Sequence, residues 1–471
     1  MTKFFPLAFY LFSLLFISCS DNDKSQTDDS PVSQEDSRAK RGKRVAVTGF
    51  NSTDYFIYRG EPMGFQYELL ESFSDHSGYD IVIKPENHPD KAINMLRSGE
   101  ADILAISLTV NKPARRGIKY TGPIGETRQV LVQRKPEGWQ KMTGEEVEKS
   151  LVRDKAGLKH KTVYVQGGSV HAGRLRSLSR EIGGKVIVVE VPIDDEVLIQ
   201  QVDRGEIDYT VCDENVALVN ASYYPGIDVG TPVSNLQELA WAVRKADSKT
   251  LLNELNEWLA EFRKTPEYSI LYAKYFRNDR SGAIVKSEYF ALNTGRISRW
   301  DEIIKVYSES IGWDWQLLAS LICQESRFNP QAMSSVGAYG LMQVMPETGV
   351  NFGIDIRSSP QNNIKAGTRY IKWLHSIFDP EIEDRDERIK FILAAYNAGP
   401  GHILDAMRLA EKNGMDPLEW DNSVRQWLLK KSDPQYYSDT IVKSGYFRGG
   451  QTVTFVDEIL ERYEHYINIV P

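Results

Sequence analysis

A chain of 471 residues is too long for one ordinary hydrophobic core, and about 150 residues per domain points to two or three, each able to bury a core of its own. Its 57 Lys and Arg stand against 65 Asp and Glu, a formal net charge of −8. That balance lacks the basic excess that a phosphate backbone rewards, which argues against a nucleic-acid partner.

The chain opens MTKFFPLAFYLFSLLFISCS: one lysine, an apolar run from Phe4 to Ile17, small residues and Cys19. Two readings are open, an anchor that stays in the membrane and a secretory leader that is removed. The run falls short of the roughly 20 apolar residues a bilayer span needs and fits the leader. Ser18-Cys19 resembles the end of a bacterial lipobox. That resemblance implies a signal peptide over 1–19, lipidation of Cys19 and a mature protein held by acyl chains outside the cytoplasm. Residues 20–43, SDNDKSQTDDSPVSQEDSRAKRGK, are almost free of apolar side chains and read as a disordered tether. Cys212 and Cys323 fall in different predicted domains, so no disulfide framework or metal-ligand spacing is present. Both are expected as buried thiols, and no metal or cofactor is expected.

From 44 to 277 strand and helix signals alternate. RVAVTGF has apolar residues at every second position, GFQYELLESFS has helical spacing, and HPDKAINMLRSGEADILAIS reads as helix, glycine turn and strand. The pattern predicts an α/β unit with a largely parallel sheet. An internal echo refines it: LRSGEADILAIS (96–107) is answered by VDRGEIDYTVCD (202–213), which predicts two similar lobes with a ligand cleft between them. A polar bridge over 278–296 follows. From 297 to 471 the pattern becomes wholly helical, in DWQLLASLICQES, NNIKAGTRYIKWLHSIF, ERIKFILAAYNAGP and TFVDEILERYEHYIN. The predicted architecture is therefore multidomain, an α/β two-lobed unit followed by an all-α unit.

Within the helical part, Trp315, Leu318, Ala319 and Ile322 form one apolar stripe, and Glu325 continues it at the next turn. Desolvation there raises a carboxyl pKa and suits it to act as a general acid. The same position equally suits a helix-end glutamate paired with Arg327, and the residues alone leave both readings open. Asp314, the preceding acid, lies eleven residues back, about 16 Å along a helix, too far to serve as a second catalytic carboxylate.

Two resemblances bear on these choices. The order GFQYELLESF, ADILAISLTVNKPARRGIKYTGP, VYVQGGSV and GEIDYTVCD over 44–277 resembles the family 3 bacterial extracellular solute-binding proteins, which implies the type II periplasmic-binding fold. It also implies Arg115 on a ligand carboxylate, Asp213 on its ammonium and Ser169 as a small hydroxyl contact. The stretches ESRFNPQAMSSVGAYGLMQVMPET, NNIKAGTRYI and AAYNAGPGH closely resemble the soluble lytic transglycosylase domain, which shares its fold with goose-type lysozymes. This implies Glu325 as sole acid and base, protonating the oxygen between N-acetylmuramic acid and N-acetylglucosamine. The muramoyl C6 hydroxyl then closes a 1,6-anhydro ring, so that no second carboxylate is needed. Ser334, Gln343, Tyr396 and Asn397 are implied as substrate contacts, with Tyr446 in GYFRGG as the substitute for a late aromatic. Gly399-Pro400 serves equally as a helix stop. Together these imply a periplasm-facing outer-membrane lipoprotein that cleaves peptidoglycan and senses a muropeptide or amino acid. A hydrolytic muramidase and a binding scaffold with an inactive helical half are the alternatives.

Overall fold

The computed structural model describes residues 41–110, 117–246, 249–277, 284, 287 and 290–470, with the backbone alone at 107, 292 and 293. Cys19, the leader, nearly all of the tether, Arg115 and most of 278–296 lie outside the described residues. Cys212 and Cys323 are free and buried. Among the described residues no helix is long and apolar enough to cross a membrane.

The first half folds as two five-stranded sheets. One contains β1 (Lys43–Thr48), β4 (Asp80–Pro85), β5 (Ile103–Thr109), β6 (Ile118–Thr127) and β12 (Gln237–Arg244), in the order β4-β1-β5-β12-β6. The other contains β7 (Gln129–Arg134), β8 (Thr162–Gln166), β9 (Ile187–Val191), β10 (Tyr209–Asp213) and β11 (Ile227–Pro232), in the order β11-β7-β10-β8-β9. The sheets are mixed and not largely parallel. β1 pairs parallel with β4 and β5, and β8 with β9 and β10. β12 runs antiparallel to both its neighbours, as does β7. The reason is the crossover: β6 runs straight into β7, and the chain comes back from β11 into β12, so each lobe takes in strands that face the other way.

The echo falls where two equivalent lobes require it. Helices Pro89–Ser98 and Asp195–Arg204 end on Gly99 (φ 89°) and Gly205 (φ 78°), left-handed positions that favour glycine, and each chain then enters the central strand, β5 or β10. A Cβ on either glycine would meet an arginine side chain from a neighbouring strand end, Arg244 or Arg134, at 2.5 and 2.6 Å.

A small ribbon, β2 (Phe56–Tyr58) and β3 (Glu61–Met63), leaves the first lobe and docks on the helical half. Its two-residue turn has φ of 54° at Arg59 and 81° at Gly60, the geometry of a tight hairpin. Ile57 belongs to the helical half's core, the Gly60 carbonyl accepts from Tyr466 Oη at 2.6 Å, and Tyr55 Oη bonds His465 Nδ1 at 2.6 Å. Phe290, in the segment read as a bridge, is buried and packs on Phe56 with ring centroids 5.3 Å apart. A Cβ at Gly60 would lie 2.5 Å from the Phe328 ring and 2.7 Å from Tyr466 Oη. We therefore expect Gly60→Ala to cost about 2 kcal/mol, the scale of overpacking a tight interior. Gly138→Ala, at φ 74° with open space around it, should cost only the backbone strain of about 1 kcal/mol. Urea unfolding of the two variants checks the difference.

The second half is helical and winds about the helix Trp315–Ser326, in which every residue from Gln316 to Cys323 is buried. The expected stripe is thus only part of the truth: the helix is central, covered on all sides. The C-terminal helix Gly450–Ile469 lies along it, accepting from Ser320 Oγ at the Ile459 carbonyl (2.7 Å), and Gln316 reaches the Val470 carbonyl at 2.9 Å.

Candidate active site

Glu325 sits in the last turn of the central helix, where the chain leaves the core through two consecutive left-handed residues, Arg327 (φ 49°) and Phe328 (φ 61°). Two non-glycine residues in that region cost backbone energy and persist only where packing enforces them. Here Ser326 Oγ ties the helix end to the Leu341 carbonyl (2.8 Å), and Trp300 Nε1 donates to the Phe328 carbonyl (3.2 Å). Arg327 lies 4.0 Å from Glu61 of the ribbon, which also faces Arg462 at 3.7 Å, so Arg327 is paired with Glu61 and not with Glu325. Among the described residues Glu325 has no hydrogen-bond or ion-pair partner. Burial alone pushes its carboxyl up to about 8. Asp314, at the far end of the helix, is taken by Arg385 (3.4 Å) and Tyr463 and has no effect on Glu325. A lone carboxyl that keeps its proton at neutral pH can deliver it to a leaving oxygen.

Facing it is the loop from Ser334 to Val344. Ser334 closes this loop on itself, its Oγ accepting from Ala338 N at 3.0 Å and its N–H donating to the Ala338 carbonyl at 2.9 Å; it makes no hydrogen bond to Glu325. Gln343, at φ 44°, directs its amide nitrogen inward to the Gly340 (2.9 Å) and Ala332 (3.1 Å) carbonyls, so its donor holds the loop and does not face a ligand. Tyr396 donates its hydroxyl to the Met342 carbonyl at 2.8 Å, not to the glutamate; burial and, after it, the Glu325 carboxylate raise its phenol. Asn397 is exposed and its Oδ1 accepts from Thr452 Oγ1 at 2.6 Å, while its amide nitrogen has no partner among the described residues. Tyr446 is exposed, its hydroxyl accepting from Arg448 Nε at 2.6 Å and its ring edge-on to Tyr437.

Several residues of this site had no sequence assignment. Asn363, buried, grips the loop with both ends of its amide: Oδ1 accepts from Met342 N at 2.9 Å and Nδ2 donates to the Tyr339 carbonyl at 2.8 Å. Gly367 leaves room for Met342, whose sulfur would lie 2.4 Å from a Cβ there. An amide on the stripe Asn363, Ile364, Gly367, Ile371 was the available signal, a polar side chain where the helical period calls for an apolar one. From Tyr396 an aromatic row runs outward through Tyr370 (5.4 Å) to Trp373 (5.5 Å, stacked), which is 44% exposed. Such faces suit the apolar side of a sugar ring. Among the described residues no group is arranged to hold a metal.

The second site is the cleft between the lobes, a cavity of about 730 Å³ lined from both sides. Ser169 and Asp213 both line it. Ser169 Oγ donates to the Gln166 carbonyl at 2.7 Å, and burial pushes Asp213 up to about 6. The lobes are latched directly: Asn87 Nδ2 donates to Asp194 at 2.7 Å, Gln166 Nε2 to the Asn87 carbonyl at 2.8 Å, and Ser52 N to Glu196 at 3.1 Å.

Comparison with known proteins gives two family matches, Bacterial extracellular solute-binding proteins, family 3, over 44–278 and Transglycosylase SLT domain over 302–418. The chain is 34% identical over 426 residues to a membrane-bound lytic murein transglycosylase F of Desulfosudis oleivorans, covering 90% of each chain. To the protein of that name from Pseudomonas putida strain W619 it is 30% identical over 420 residues, covering 89% of this chain and 83% of the relative. Among solved structures, an ancestral arginine-binding protein bound to arginine is 25% identical, with a TM-score of 0.43, over 50% of this chain and 100% of the other.

Proposed function

The chain belongs to the membrane-bound lytic murein transglycosylase F family and is an enzyme of that class, and from that premise we propose that Glu325 alone carries its chemistry, cutting peptidoglycan strands without water. One observation supports this reading above the rest: a single carboxyl, pushed up to about 8 by burial, with no second carboxylate acting on it. Glycoside cleavage by two carboxylates needs a partner within about 10 Å. Here the nucleophile comes from the substrate. Glu325 gives its proton to the oxygen between N-acetylmuramic acid and N-acetylglucosamine. As carboxylate it then takes the proton of the muramoyl C6 hydroxyl while that oxygen bonds to the anomeric carbon. Holding the two reacting atoms in one sugar provides an effective molarity on the order of 10⁵ M. Tyr396, Asn397 and the Ser334–Gln343 loop shape the glycan cleft, with Tyr446 at its edge.

The products test the scheme. Mass spectrometry of purified sacculi digested by the protein should find 1,6-anhydromuramoyl ends; reducing muramoyl ends in their place would make it a hydrolase. The pH profile follows from the sign of the shift. The carboxyl must be protonated to begin, so kcat/KM should stay level through neutrality and fall as pH rises through about 8.

The solute-binding half takes an amino acid or cell-wall peptide in the cleft and acts as a sensor, with Arg115, Ser169 and Asp213 as contacts; that Ser169 and Asp213 share one cavity supports this. Lipidation at Cys19 would tether the protein to the outer membrane, facing the periplasm. The membrane-bound name of the relatives supports attachment to the envelope.

A further inference from the structure

Asn363 is only 1% exposed and so cannot reach a ligand, yet its bonds lead back to the glutamate in two steps. Its Oδ1 accepts from Met342 N at 2.9 Å. The carbonyl of that same peptide group, on Leu341, accepts at 2.8 Å from Ser326 Oγ, the residue that follows Glu325. The next carbonyl, on Met342, accepts at 2.8 Å from the hydroxyl of Tyr396, whose phenol is raised by burial and then by the Glu325 carboxylate. On the other side of Gly340, Asn363 Nδ2 donates to the Tyr339 carbonyl at 2.8 Å. The fit has no slack, because a Cβ on Gly340 would lie 2.4 Å from that nitrogen. The amide is delivered from a fixed point: it stands in the first turn of the helix Pro360–Phe378, whose cap Ser359 Oγ accepts from Asn362 N at 3.0 Å.

The loop needs such a clamp. Gly340 (φ 81°) and Gln343 (φ 44°) are both left-handed, and a non-glycine residue in that region persists only where its surroundings enforce it. Remove the amide, and the Met342 N–H and the Tyr339 carbonyl lose buried partners and must turn to water. Water admitted to this loop also comes to the glutamate it faces, whose proton is held by burial alone. On the reading of Glu325 as the general acid, we propose that Asn363 is its positioning residue: by fixing the backbone from Tyr339 to Met342 against Ser326 and Tyr396, it keeps the carboxyl aligned and dry for proton transfer. A purely structural role has a different signature, a less stable protein whose turnover per folded molecule and pH profile are those of the wild type.

Digestion of purified sacculi by the full chain, followed across pH and normalised to folded protein by circular dichroism, separates the two. Asn363→Leu, close in size and without either polar atom, should lower kcat about tenfold or more and leave KM within about twofold, the mark of misplaced reacting groups. It should also move the alkaline fall in activity down from about 8 by about half a pH unit or more, since a better solvated carboxyl gives up its proton sooner. Asn363→Ser, neutral and smaller, should show the same two changes and keeps the test open if leucine prevents folding. Folded variants with wild-type kcat, with a loss carried wholly by KM, or with the alkaline fall left where the wild type has it would overturn the proposal and leave Glu325 as the acid. A wild type that shows no alkaline fall near 8 would overturn both.

Discussion

Replacing Glu325 by glutamine should lower the digestion of sacculi by about a thousandfold or more, the scale of losing a positioned general acid that no neighbour can replace. The variant keeps the shape and removes the proton. It should also be the more stable protein at alkaline pH. A carboxyl held at about 8 in the fold, against an ordinary 4.5, takes up a proton on folding, so the wild type loses stability as pH rises between those values and glutamine does not. An inactive variant that melts higher than wild type at pH 9 is the joint outcome expected, measured by turbidity loss of sacculi and by thermal melting. Undiminished digestion would remove Glu325 from the mechanism.

The second large effect lies away from the chemistry. Lys431 is fully buried, its ammonium 2.6 Å from Asp405 and 2.7 Å from His402 Nδ1. Asp405, buried as well, also accepts from the backbone N–H groups of Lys443 and Ser444, each at 2.8 Å, and from Arg408. These bonds pin the loop that leads to Tyr446, and His402 stacks on Phe447 with centroids 4.3 Å apart. Removing one partner of a buried ion pair leaves the other charge without compensation. Lys431→Met should therefore cost about 3 kcal/mol in urea unfolding. An added Asp405→Leu should not restore it, because the two loop N–H groups then lose their acceptor. Burial pushes the Asp405 carboxyl up, but the Lys431 ammonium, the two loop N–H donors and Arg408 outweigh this and hold it down at about 2. Its share of stability is thus present above an ordinary carboxylate pKa near 4 and fades as pH falls toward 2. A Lys431→Met protein as stable as wild type would show the pair to be incidental.

Much of this molecule is legible in its letters. The helical half announces itself through long ordered motifs, while the place of Glu325 at the end of an apolar helix leaves a general acid and a partner of Arg327 equally open. The paired lobes show in the Gly99 and Gly205 repeats because a left-handed helix end has few other residues that fit it. What stays hidden is non-local. Lys431 has no role assigned from the sequence, and only the end of a short helix against Asp405 turns it inward. Nothing local in the YRGEP turn says that Tyr466, 406 positions on in sequence, donates to its carbonyl. Ser334, Gln343 and Tyr396 are implied as substrate contacts by motif, yet their polar atoms bond the loop's own backbone, which spacing alone does not reveal. His171 and Asp195, near the starts of two different helices of the second lobe, meet at 3.2 Å with no local signal of it in the sequence.

The docked ribbon bears on how such proteins can be recombined. A chimera that borrows the solute-binding half of a relative brings that relative's ribbon with it, and the foreign tip must then fit between Cys323, Phe328 and Tyr466, at the end of the helix that carries Glu325. The natural unit of exchange is therefore not either half taken alone. It is the receptor together with the socket it plugs into, and grafts that respect that joint are the ones that should still cut cell wall.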